Sequence, residues 1–139
     1  MNREDKNLLF KDLCARLPYG VKLQKFNEPD SAFELYSFNK ESGVIMFYKY
    51  KGKALTIGDV GKLFRRDVLL YKPFLRSMSS MTEEEVKEYN ELCGCNAPYP
   101  GIVEEAVAKF MDWLNSHHFD YRGLIEKGLA IEAPKGMYE

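Results

Sequence analysis

Between residues 21 and 57 the chain repeats one pattern four times, and that pattern limits its folds more than any other feature. VKLQKF, AFELYSF, VIMFYKY and ALTI are short runs rich in β-branched and aromatic residues. They are separated by the polar turn clusters Asn27–Asp30, Asn39–Gly43 and Lys51–Lys53. Such runs suit a pleated, half-buried surface, and the connections are too short for a crossover helix. The spacing therefore predicts an antiparallel meander. DVLLYKPFLR (67–76) reads as one more extended segment, which Pro73 should confine to an edge or end. GDVGKLFRR (58–66) has neither period; with its two glycines it reads as loop or a short turn of helix.

Helical spacing flanks this block. Leu9, Phe10, Leu13, Cys14 and Leu17 recur at i, i+3, i+4 before Pro18-Tyr19-Gly20 stops the helix. Cys14 lies on that stripe and is expected to be a small core residue. Thr82 and Glu85 form a capping box before a helix running to about Leu92, and three glutamates in its first turn suit the helix dipole. After the loop around Pro98 and Pro100, Ile102, Val103, Ala106, Phe110, Trp113, Leu114 and His117 share one side of a second helix. A third, short helix is expected from Tyr121 to Lys127. Asp120 would be its N-cap, Gly128 its left-handed stop, and Leu124 and Leu129 the apolar clasp of a Schellman ending.

The expected fold is α+β: an N-terminal helix, an antiparallel sheet of four or five strands, and C-terminal helices packed on one face. A length of 139 residues without repeat or linker makes residues 1–139 one domain. No disulfide framework is needed for a core at that size.

Charge narrows the partners. Twenty basic against twenty-one acidic residues leave a formal charge of −1, so nothing drives the chain toward nucleic acid or anionic lipid. Lys49, Lys51, Lys53, Lys62, Arg65 and Arg66 form a local basic stretch, and Glu83, Glu84, Glu85, Glu88 and Glu91 an acidic one. Both read as solvated faces. The polar start contains no signal peptide or membrane span, and three cysteines without framework spacing read as reduced thiols. The expected compartment is the cytoplasm. Nine tyrosines suggest half-buried sheet surfaces or a wet contact face that tolerates a phenol.

NSHHFDYRG (115–123) gathers the side chains used for proton transfer or metal ligation. The candidate site residues are His117, His118, Tyr121 and Arg122. Adjacent histidines lack the i, i+4 spacing of helical chelators. A mixed site of Cys93, Cys95 and one histidine, His117 or His118, is conceivable, but Cys-x-Cys lacks the gap of a zinc knuckle and no fourth ligand is evident. Those residues with Asp120 define an alternative, a small hydrolase or metal-dependent enzyme using Cys93, Cys95, His117, His118 and Asp120, although no nucleophile signature supports it. GDVGK (58–62) lacks phosphate-loop spacing. LIEKGLAIE matches the end of a winged-helix recognition helix only in its generic glycine stop. No catalytic residue, metal or cofactor is assigned. Tyr71, Phe74 and Arg76, in the rigid extended phrase YKPFLR, are candidates for a protein contact.

The phrases LLFKDLCARLPYGVKL (8–23), YKPFLRSMSSMTEEE (71–85) and DWLNSHHFDYRGLIEKGLAIEAP (112–134) together resemble an uncharacterised family of small proteins from gut bacteria and their prophages. The resemblance spans the chain and is least distinctive in the middle strands. It implies a phage or mobile-element setting and an α+β domain, and no activity or site residue. The expectation is a non-catalytic intracellular binding or accessory module with a protein partner. Nucleic-acid binding is a further alternative, disfavoured by the charge balance.

Overall fold

The computed structural model describes residues 1–51, 54–93 and 103–138, with the side chains of 49–51, 54–59, 103 and 104 left undescribed. Helix α1 (Arg3–Arg16) is capped by Asn2, whose side chain accepts from the Asp5 amide. A 3-10 turn, Leu17–Tyr19, leads through Gly20 (φ 70°) into strand β1 (Lys22–Lys25). Then come β2 (Phe33–Phe38), β3 (Val44–Lys51) and β4 (Ala54–Lys62). A small hairpin of β5 (Phe64–Arg65) and β6 (Val68–Leu69) precedes β7 (Tyr71–Leu75). Helices α2 (Glu83–Leu92) and α3 (Val103–Ser116) follow, then β8 (Ile131–Glu132).

The α+β class and the meander are as expected, but the sheet is larger. It has six strands in the order β4-β3-β2-β1-β7-β8, antiparallel except for the β7–β8 pair, and the β5–β6 hairpin stands apart. The extra strand is β8, only two residues long and too short to leave a periodic signal.

Residues 58–62 are strand, where a loop or helical turn was expected. The glycine at 61 has a packing reason. A Cβ there would lie 2.9 Å from the Tyr71 hydroxyl, so only glycine lets that buried ring approach the strand. Pro73 is likewise not at an edge, since β7 lies between β1 and β8. Phe26 donates to the Leu70 carbonyl, which sets the bonded positions of the β1–β7 ladder at 26/70, 24/72 and 22/74. Pro73 therefore faces Leu23 at a non-bonded position, and its missing donor costs that ladder nothing.

Two apolar clusters result. Leu9, Phe10 and Leu13 of α1 pack with Leu23, Leu35, Ile45, Phe47, Tyr71 and Leu75 of the sheet, and Leu124, Leu129 and Ala130 close the same cluster. Trp113, Leu114 and Phe119 form the second, with Tyr89 and Leu92 of α2 against them. Thus α2 and α3 pack on each other in a cluster separate from the one that α1 shares with the sheet. Cys14 is exposed, not a core residue. The buried side of α1 continues through Asp12 and Arg16, each 0% exposed.

The expected third helix does not form. Residues 121–130 are a succession of turns, because Gly123 adopts φ 73° and interrupts helical geometry after two residues. Its predicted ending exists nonetheless. Leu129 donates to the Leu124 carbonyl and Gly128 (φ 73°) to that of Ile125, the two bonds of a Schellman motif. Asp120 caps this turn, accepting from the Leu124 and Ile125 amides at 2.8 and 2.9 Å.

Candidate functional site

The end of α3 places the histidines, and its hydrogen bonds explain how. His118 donates to Asn115 O and Phe119 to Leu114 O, a second Schellman ending with His118 in the left-handed position at φ 62°. Glycine normally fills that position; a β-carbon there costs about 1–2 kcal/mol. The turn drives His117 and His118 in different directions. His117 lies 4.5 Å from the Trp113 ring, with Nδ1 2.8 Å from the Trp113 carbonyl. His118 is buried and stacks on Tyr138 with ring centroids 3.6 Å apart.

The following residues join α1 to this junction. The Asp12 carboxylate accepts from Arg16 Nε and from Arg122 Nη1, both at 2.8 Å. Arg16 also donates to the Phe119 carbonyl at 2.5 Å. Both guanidiniums lie near the Tyr121 ring, at 5.3 and 4.5 Å, and the Tyr121 hydroxyl donates to Asn115 Oδ1 at 2.8 Å. Tyr121 and Arg122 are thus brought together, each bonded to partners other than the histidines.

The chain's last described residues close the centre. The Lys22 amide donates to the Tyr138 hydroxyl at 3.0 Å, and that hydroxyl donates to the Phe74 carbonyl at 2.7 Å. Residues 22 and 74 occupy a bonded position of the β1–β7 ladder, so the phenol bridges a rung that backbone would otherwise close. Burial raises the Tyr138 pKa above the usual tyrosine range. Burial pushes His118 the other way, down to about 4, with help from the cations Arg16, Arg76 and Lys22 and from His117. His118 is therefore neutral at pH 7. Among the described residues its Nδ1 and Arg16 Nη1 are buried without a hydrogen-bond partner.

The other candidates have structural contacts. Tyr71 and Phe74 are buried, which accounts for them without a partner protein. Arg76 forms a two-pronged pair with Glu85 at 2.8 and 2.7 Å and lies 4.3 Å from the Phe119 ring. Glu85 also completes the capping box with Thr82, and the Arg76 bonds hold its carboxyl down to about 2. Arg76, Ser80, Thr82, Glu132, Lys135 and Tyr138 border a cleft of about 330 Å3 between the start of α2 and the tail. Its one guanidinium is already paired. Cys93 is exposed at the end of α2, and Cys95 lies outside the described residues. Among the described residues no three His, Cys, Asp or Glu side chains are placed to hold a metal. No helix among them is long and apolar enough to cross a membrane.

Reading the sequence missed Asp12, Arg16, Asn115 and Tyr138. One signal was present: Arg16 follows Leu9 and Leu13 at helical spacing, and Asp12 sits four residues before it. A charged pair on an apolar stripe asks for a buried partner, and Arg122 is that partner. Compared with known proteins, the chain matches no family model, no curated protein and no solved structure.

Proposed function

We propose that this chain is a non-catalytic binding or accessory module, acting inside the cell in a phage or mobile-element setting through a protein partner. One observation carries the reading. The side chains of catalytic type that converge on the polar centre already have other work. Asp12 holds two guanidiniums, Asp120 caps a turn, Tyr121 is tied to Asn115, and Tyr138 lies over His118. A general acid or base needs hydrogen-bond reach to a substrate, and this centre faces inward. The balanced charge and the resemblance to small prophage-associated proteins support the same reading.

The alternative is a small hydrolase or metal-dependent enzyme using Cys93, Cys95, His117, His118 and Asp120. Purified protein should turn over no ester, phosphoester, peptide or nucleic-acid substrate and hold no stoichiometric zinc. Turnover abolished by H118N in a folded variant, or one zinc per chain, overturns the proposal. A photo-crosslinker at position 36, on the open sheet face, should join a specific partner in the native cell.

A further inference from the structure

We propose that the sheet face carrying Tyr36 and Tyr48, with the turn that holds Tyr19, binds an arginine or lysine side chain of a partner protein. The proposal rests on the reading of the chain as a binding module and adds the chemistry of what is bound.

Alternation along the strands sets up the face. Leu23, Leu35 and Phe47 point into the core, so Lys22, Glu34, Tyr36 and Tyr48 point to the other side. Tyr36 is 37% exposed and meets Tyr48 edge-on, with centroids 5.0 Å apart at 77°. Where α1 passes into β1, Pro18, Tyr19, Gly20, Glu34 and Tyr48 line an open groove of about 460 Å3. The Tyr19 pKa is raised by burial and by the nearby Asp112 carboxylate, which brings a second acid close to the groove.

The telling residue is Glu34. Its cross-strand neighbour is Lys22, directly opposite in register, and opposite charges in that position ordinarily pair. Lys22 turns away instead. Its ammonium donates to the Met137 carbonyl at 3.3 Å and lies 5.8 Å from the Tyr138 ring. Among the described residues Glu34 forms no ion pair and no side-chain hydrogen bond, although it is half-buried. Gly20 lets the carboxylate close in on the turn: a Cβ there would lie 2.8 Å from Glu34 Oε1. Among the described residues no lysine or arginine lines the groove. A carboxylate without a cation, walled by tyrosine rings, is complementary to a guanidinium or ammonium, which gains from the ring faces and from the charge together.

Titration of the full chain with N-acetyl-arginine amide and N-acetyl-lysine amide, followed by amide NMR shifts, tests this directly. Saturable shifts should centre on Gly20, Glu34 and Tyr48, and the neutral N-acetyl-norleucine amide should not reproduce them. E34Q should weaken binding about tenfold, as the loss of one charge-assisted bond implies. Y48F should stay within about twofold, because the ring and not the hydroxyl faces the cation; Y48L should lose several-fold. Unchanged melting of each variant excludes misfolding. Equal binding of the norleucine probe, wild-type binding by E34Q, or shifts centred elsewhere overturn the proposal. If the crosslinker at position 36 captures a partner while neither cationic probe binds, the groove chemistry falls and the module reading stands. If the probes bind but H118N abolishes a measured turnover, the reverse holds.

Discussion

Replacing Asp12 by asparagine should be the most damaging near-isosteric change in the molecule. Asp12 and Arg16 are each fully buried, and Arg122 reaches the same carboxylate from 110 residues away. Asparagine keeps the volume but removes the charge that offsets two guanidiniums, and its amide nitrogen must face one of two donors. Breaking a buried pair in this way costs about 3–5 kcal/mol, because the surviving charge stays desolvated. For 139 residues the unfolding entropy near 60 °C is about 0.3 kcal/mol/K, so the melting temperature should fall by roughly 10–17 °C. Urea unfolding reads this out through the single tryptophan, Trp113, which is buried in the second cluster, with far-UV circular dichroism as the second probe. The midpoint should move with little change in slope. D12L/R16M/R122M should recover much of the loss, since replacing the whole buried triad by apolar side chains of similar volume leaves no guanidinium desolvated without its partner. A D12N loss below about 1 kcal/mol, or no recovery in the triple variant, would refute the reasoning.

Three further outcomes follow from the geometry. His118 has a folded pKa of about 4 against its usual 6.5, so the unfolded chain takes up the proton first. Stability should be full above pH 6.5, fall as the pH drops toward 4 by up to about 3 kcal/mol, then level off with respect to this group. H118N, which tolerates the left-handed backbone, should flatten that window in denaturation profiles; an unchanged profile counts against a buried neutral imidazole. Y138F should cost about 1–3 kcal/mol by leaving the Lys22 amide and the Phe74 carbonyl unbridged, with faster hydrogen exchange at Lys22; unchanged exchange there would show that the phenol does not bridge the ladder. G61A should cost about 1–3 kcal/mol by driving a methyl into the Tyr71 ring, while the exposed V60A should stay within about 0.5 kcal/mol in the same urea assay.

What could be read from the residues alone divides along physical lines. The capping box at Thr82 and the Schellman ending at Gly128 are local, set by atoms a few residues apart, and both exist at their predicted places. The helix expected between Asp120 and Gly128 failed on a single backbone angle, at Gly123. Glycines at 58 and 61 hid the second half of β4, because the reason for Gly61 is a tyrosine ten residues on that approaches it only in the folded sheet. The polar centre was half legible. His118, Tyr121 and Arg122 were singled out together, but Asp12, Arg16 and Tyr138, which give them their environment, come from the opposite end of the sequence or from the tail. No periodicity reports a contact across more than a hundred residues. Pro73 shows the limit from the other side: the edge rule was sound, yet a non-bonded position in an inner strand meets the same requirement.

The order in which a ribosome delivers this chain gives the polar centre one more meaning. Arg16 finds Phe119 after 103 residues, Asp12 finds Arg122 after 110, and the Lys22 amide finds Tyr138 after 116. Until those segments emerge, α1 carries a wetted ion pair on the side that must later be dry, and β1 waits beside β2 for its other neighbour. The first helix can form early, but it can be buried only late, when the junction after α3 arrives to take up its charges. Contacts of such sequence separation slow folding and prolong exposure of the sheet's apolar face. Asp12 and Arg16 place charge on the side of α1 that the folded core buries, so that side can stay solvated until Arg122 and the Phe119 carbonyl arrive to take it up.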